Sequence, residues 1–180
     1  FAGSGVRLST ARAGNVIGGG DFAPDRIIPD CIRAAVRGQV IDIRNPHSTR
    51  PYQHVLEPLS VYLMLAARQA GDDALVGAWN VGPDDADCVT TGELADLFCR
   101  MWGAGARWEA HADGGPHEAH FLKLDCSKIK SELGWKPRWH IAEAVEKTVE
   151  WAKAWEAGAD MRAVTEAQIE AFSQGIIEQG

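Results

Sequence analysis

Asn15, Asp21, Arg26, Arg44, Asn45, Arg50, His54 and Asn80 fall at or near the ends of segments that read as strands, and His117 joins them from a loop. In α/β folds ligands gather at the carboxyl ends of strands, so this polar set marks a candidate binding site. Arg44 and Arg50 flank a loop, and a guanidinium fork matches the geometry of a phosphate. Asn15 and Asn80 each offer an amide to a phosphate or a base. The competing reading makes the arginines surface charges and the asparagines turn residues. Spacing alone leaves both open.

Other motifs exclude more than they assign. Gly14-x-x-x-Gly18-Gly19-Gly20 follows a strand and precedes a helix, but a dinucleotide loop needs G-x-G-x-x-G to bring backbone against a pyrophosphate, so this stretch reads as a turn. His117-Glu118-Ala119-His120 is not H-E-x-x-H and sits beside Gly114-Gly115-Pro116, so a loop histidine is expected there and no metal. Ser4 lacks the spacers of G-x-S-x-G. The only tyrosines, Tyr52 and Tyr62, have Leu56 and Ala66 four residues on, so neither begins Tyr-x-x-x-Lys. No catalytic residue is assigned, and no cofactor-binding residue.

The elements that must position these side chains alternate. Residues 6–17 are β-compatible and end at the glycine turn. Residues 25–36 read as a helix, with Ile27, Ile28, Cys31, Ile32 and Ala35 on one stripe and Pro29 near its start. Strands are expected at 40–44, 52–55, 78–81, 107–111 and 121–124. Residues 56–69 form a strongly apolar helix expected to be buried on most sides. Thr90-Thr91-Gly92-Glu93 is a capping box for a helix to about Trp102, and Thr165-Glu166-Ala167-Gln168 a second one for the last helix. Residues 127–133 form a short helix stopped by Gly134, and 140–155 a long amphipathic one. This alternation argues an α/β fold, and with no repeat or low-complexity linker residues 1–180 read as a single piece.

At 46% apolar and 24% charged the chain can build a core, which excludes wholesale disorder. Eighteen basic residues against 25 acidic ones argue against a nucleic-acid partner, while a few placed arginines still suit an anionic small ligand. The longest apolar run, near residues 59–67, is too short to span a membrane. Cys31, Cys88, Cys99 and Cys126 have irregular spacing and no C-x-x-C, which reads as reduced thiols in a cytoplasmic protein. The chain opens on Phe1-Ala2-Gly3-Ser4-Gly5 without a Met, so a cut inside a longer protein is expected.

Arg12-Ala13-Gly14-Asn15-Val16-Ile17-Gly18-Gly19-Gly20-Asp21-Phe22 resembles the stretch after the catalytic Tyr-x-x-x-Lys in CDP-glucose 4,6-dehydratases, within the extended short-chain dehydrogenase/reductase superfamily. Asp25-Arg26-Ile27-Ile28-Pro29-Asp30, Arg44-Asn45-Pro46-His47-Ser48-Thr49-Arg50-Pro51-Tyr52-Gln53-His54-Val55, Trp79-Asn80-Val81-Gly82-Pro83, Pro116-His117-Glu118-Ala119 and Leu133-Gly134-Trp135-Lys136-Pro137 follow in the family's order. Phe22 and Tyr52 depart from it, standing where many members have tryptophan.

The resemblance implies the carboxyl-terminal part of an extended Rossmann-type fold: the last Rossmann strands plus the smaller substrate domain. The amino-terminal NAD-binding half, with its glycine loop and Tyr-x-x-x-Lys, would lie upstream, and the chain alone would be inactive. Family chemistry takes a hydride from sugar C4 to NAD, loses water across C5 and C6, and returns the hydride at C6. Carried over by position, Asn15, Arg26, Ile28, Pro29, Arg44, Arg50, Asn80 and His117 would hold the sugar nucleotide, Arg50 at its diphosphate. A homo-oligomer is implied for the intact enzyme. Another nucleotide-sugar epimerase or dehydratase, or a non-catalytic sugar-nucleotide-binding module, stays open beside this reading.

Overall fold

The computed structural model describes residues 4–111 and 121–177. Its fold is α/β, as expected. Strands β1 (Thr10–Ala13) and β2 (Asn15–Ile17) lead to helix α1 (Ile27–Val36), then β3 (Ile41–Ile43), β4 (Thr49–His54) and α2 (Leu56–Gln69). Next come β5 (Ala78–Val81), β6 (Cys88–Thr90), α3 (Thr91–Trp102) and β7 (Trp108–Ala110). Helices α4 (Ser127–Leu133), α5 (Ile141–Glu156) and α6 (Met161–Ile177) close the chain. Strand β1 pairs parallel with β5, and β3 parallel with β7. Strand β4 lies between β2, parallel, and β6, antiparallel.

The expected single strand over 6–17 is two strands that part at Gly14. The chain leaves β5 there and joins β4, with Asn15 opposite Tyr52 and Ile17 opposite His54. Only glycine fits that crossing, because a Cβ on Gly14 would stand 2.7 Å from the Pro51 carbonyl oxygen. The carbonyl of Val81 stitches the two sheets, accepting from Gly14 N at 3.3 Å and from Gln53 Nε2 at 2.9 Å.

One core lies between α1, α3 and α5 and the strands beside them, with Ile28, Cys31, Ile41, Ile43, Leu94, Phe98, Ala144 and Val145 buried. A second joins Val61 and Leu65 of α2, Trp79 and Val81 of β5, Ile129 and Leu133 of α4, and Trp135. Three of the seven tryptophans (Trp79, Trp135 and Trp139) are buried. The capping box at Thr90 forms, with Glu93 N donating to Thr90 Oγ1 and Thr90 N donating to Glu93 Oε2 at 2.7 Å.

Three expectations are corrected. Helix α2 is not buried on most sides: Val61 and Leu65 enter the core, but Leu59, Tyr62 and Leu63 face outward, Leu63 at 74% exposure. Thr165 does not start the last helix. Gly158, at φ +71°, follows the end of α5, and Asp160 accepts from Arg162 N and Ala163 N, so α6 begins at Met161. Residues 121–124 form no strand, only a bridge between Phe121 and Thr49. The loop around Gly114-Gly115-Pro116 lies outside the described residues.

Candidate sugar-nucleotide site

A cavity of about 480 Å3 opens where β2, the glycine turn and the start of α1 meet. Asn15, Asp21, Arg26, Ile28, Pro29 and Tyr52 line it, together with Gly14, Gly18 and Leu122 and Leu124 from beyond β7. Strand β2 delivers Asn15, and its pairing with β4 sets Tyr52 directly opposite. Arg26 is the extended residue ahead of α1, and no side chain caps that helix. The amino end of α1 therefore turns its positive dipole and uncapped N–H groups towards the cavity, beside the Arg26 guanidinium. Asp21 Oδ1 accepts from Ala23 N at 3.0 Å, and Asp21 Oδ2 lies 3.4 Å from Arg26 Nη1. The arrangement offers an amide, a guanidinium and a helix terminus to an anion, with Ile28, Pro29, Tyr52 and two leucines as apolar walls.

Four of the eight carried-over residues meet here: Asn15, Arg26, Ile28 and Pro29. Arg44, Arg50 and Asn80 do not line this cavity. The Arg44 guanidinium lies 3.4 Å from Asp25 Oδ1. Arg50 donates to the Thr49 carbonyl at 3.0 Å and stands on β4 two residues before Tyr52. Asn80 donates to the Asp125 carbonyl at 2.9 Å, while its buried Oδ1 has no partner. His117, with His117-Glu118-Ala119-His120, lies outside the described residues.

The glycine run is a turn, with Gly20 at φ +79°. Gly19 lies under the Trp151 indole so closely that a Cβ would meet ring carbons at 2.2 Å. A dinucleotide's pyrophosphate needs open backbone, so this turn does not fit NAD.

Buried polar side chains outside the cavity lining anchor the surrounding elements. Glu57, fully buried at the start of α2, accepts from Arg138 N and Trp139 N, each at 2.8 Å. Burial pushes its carboxyl above the usual range, against those two hydrogen bonds. His54, buried edge-on to Trp139, is pushed down to about 4 by burial and then by the Lys147 charge. Asp87 accepts from Ile141 N at 3.0 Å and lies 2.7 Å from His140 Nδ1, which raises the pKa of His140. Asp84, Asp87 and His140 bring ligand atoms within 4.8 Å of one another, but Asp84 takes the Lys130 ammonium and Asp87 is already engaged, so the cluster works as a structural clamp.

No family model matches the chain. It is 50% identical over 158 residues to the CDP-glucose 4,6-dehydratase of Salmonella typhimurium, covering 87% of this chain and 44% of the relative. The chain is similar in sequence to nucleotide-sugar 4,6-dehydratases and shares the Rossmann-type α/β fold of solved dehydratases and epimerases. The dTDP-glucose 4,6-dehydratase of Bacillus anthracis, solved with NAD, superposes at TM-score 0.68 with 18% identity, over 84% of this chain and 46% of its own. The UDP-glucuronic acid 4-epimerase of Bacillus cereus, solved with UDP-glucuronic acid and NAD, superposes at 0.71 with 15% identity, over 86% and 48%. The chain thus spans less than half the length of each of these three proteins. No described helix is long and apolar enough to cross a membrane.

Tyr52, Leu122 and Leu124 line the cavity without having been assigned a place in the site, and Asp21 lines it without being among the eight carried-over residues. Asp21 stood in the polar set at strand ends, a signal that could have found it. Tyr52 becomes visible only through the β2–β4 register, and the leucines enter along a segment whose sequence signals a strand it does not form.

Proposed function

We propose that the chain holds the sugar nucleotide in an NAD-dependent CDP-glucose 4,6-dehydratase, a hydro-lyase that makes CDP-4-keto-6-deoxyglucose for deoxysugar biosynthesis. The 50% identity to a CDP-glucose 4,6-dehydratase carries the reading. The convergence of Asn15, Arg26 and the α1 amino end on one cavity supports it physically. On this reading Asn15 and Arg26 take the diphosphate with the helix terminus, and a charge-assisted contact of that kind is worth roughly 1.5–3 kcal/mol. Ile28, Pro29, Tyr52, Leu122 and Leu124 exclude water and fix the remainder of the ligand by shape. Arg44, Arg50, Asn80 and His117 complete the enclosure by their place in the family pattern. NAD supplies hydride transfer when bound. Its cradle and the Tyr-x-x-x-Lys base belong to an amino-terminal half, in keeping with a glycine turn here that Trp151 covers. The intact enzyme is a homo-oligomer, and four free cysteines suit a reducing, cytoplasmic setting.

Calorimetric titration with CDP-glucose, with UDP-glucose and dTDP-glucose as controls, tests the reading. Selective CDP-glucose binding, weakened about tenfold by Arg26→Ala and by Asn15→Ala, is expected. A folded protein that binds none of the three overturns it. A second reading, sugar-nucleotide binding without catalysis, is favoured by the absence of Tyr-x-x-x-Lys at either tyrosine. NAD-dependent turnover of CDP-glucose by the complete natural protein would exclude it.

A further inference from the structure

Resting on that reading of the cavity, we propose that Arg33 is a positioning residue for substrate binding: it fixes the loop of residues 21–26 that delivers Arg26. Arg33 stands on α1 and does not line the substrate cavity. Its guanidinium reaches back over the loop. Nη1 donates to the Phe22 carbonyl and Nη2 to the Ala23 carbonyl, both at 3.2 Å, and the Asp30 carboxylate holds Nη2 from below. One rigid fork thus grips two successive carbonyls, a geometry that a lysine ammonium does not reproduce.

The loop needs such a grip. It has no regular secondary structure between the glycine turn and α1. Asp25, the residue before Arg26, sits at φ +60°. A non-glycine residue there is strained and persists only where the surroundings impose it. Asp21 braces the same loop from the cavity side through Ala23 N and lies beside Arg26. Phe22 packs outward against Trp155, with ring centroids 4.9 Å apart. Arg33 pulls on the carbonyls of Phe22 and Ala23 while Asp21 takes the Ala23 amide, so the peptide units before Pro24 are held from both sides. The guanidinium of Arg26 reaches the cavity from that fixed frame.

The test is a double-mutant cycle in the complete natural protein, reading KM for CDP-glucose, kcat and Tm. Arg33→Met should raise KM roughly tenfold with kcat within about twofold, since it removes two carbonyl contacts that act on binding. Arg33→Lys keeps the charge and stem but loses the fork, and should raise KM about threefold. In an Arg26→Ala background, Arg33→Met should add almost nothing, because the residue it positions is gone. Should Arg33→Met not fold, Arg33→Lys carries the same cycle. A raised KM in Arg26→Ala with an unchanged KM in both Arg33 variants overturns this proposal and leaves the cavity reading standing. So does an Arg33 effect that persists undiminished without Arg26. An unchanged KM in Arg26→Ala overturns both.

Discussion

Gly19→Ala tests the contact that packs the glycine turn against Trp151 of α5. A Cβ at Gly19 would meet Trp151 Cγ and Cδ2 at 2.2 Å and Cδ1 at 2.5 Å. The indole cannot step aside freely: its Nε1 donates to Thr165 Oγ1 at 3.1 Å, and Phe22 leans on it with ring centroids 6.3 Å apart. The φ of Gly19 is outside the left-handed region, so an alanine there suffers from crowding and not from backbone strain. Overpacking of this kind costs about 1–3 kcal/mol. For a chain of this size each kcal/mol lowers Tm by about 2–4 °C, so a loss of about 2–12 °C is expected. Thermal denaturation followed by circular dichroism measures it. Trp151→Ala opens the space, so Gly19→Ala should cost less than about 0.5 kcal/mol in that background. An unchanged Tm for Gly19→Ala, or an equal loss with and without Trp151, refutes the reasoning.

Glu57→Ala leaves Arg138 N and Trp139 N without their acceptor and should cost roughly 2 kcal/mol or more in urea denaturation, whereas Glu57→Gln, which keeps an oxygen in place, should recover most of it. Equal losses in the two variants would deny the hydrogen bonds their role. Burial holds folded His54 near 4 against an ordinary 6.5, so its unfolded form binds a proton that the folded form refuses between those values. Stability from this group is complete above about pH 6.5 and is lost as pH falls towards 4. His54→Gln should therefore show a shallower fall of Tm across that window, and parallel curves would contradict it. His140 has the opposite sign. Its pKa is raised by Asp87, so its contribution is complete below about pH 6.5 and fades as pH rises through the raised value. The Tm difference between the wild type and His140→Gln should shrink towards alkaline pH, and a constant difference would show that the pair is electrostatically idle.

Local signals located most elements. Helices α2 and α4 and strand β5 occupy the residues that periodicity and stop signals mark, because an apolar stripe, a Gly134 cap or a glycine-proline turn acts within a few residues. What failed was non-local. The break at Gly14 depends on Pro51, a residue 37 positions away, whose carbonyl crowds the crossing. The second capping box, at Thr165, lost to Asp160 five residues earlier, because the Gly158 turn had already ended α5. The outer face of α2 looked buried because Leu59, Tyr62 and Leu63 are apolar, yet composition does not say which neighbour covers a face. The same limit applied at the site. Position at a strand end put Asn15 and Arg26 near the cavity, but the side to which Arg44, Arg50 and Asn80 turn depends on pairing that spacing does not reveal.

The cavity's walls come from β2, the glycine turn, the loop before α1, β4 and residues 122 and 124, and three of these five walls have a support of their own. Trp151 backs the turn, Arg33 and Asp21 brace the loop, and Gln53 ties β4 to β5 through the Val81 carbonyl. Those supports all lie within the 180 residues, so the geometry proposed to hold an anionic sugar nucleotide has its supports inside the chain. The proposed chemistry is not: neither tyrosine carries the lysine that a Tyr-x-x-x-Lys base requires, and the glycine turn is closed to a cofactor. Binding and turnover should therefore separate. A chain of these residues that binds CDP-glucose but leaves it unchanged is the expected result, and addition of the residues that carry the cofactor cradle and the base should restore turnover without creating the binding site anew.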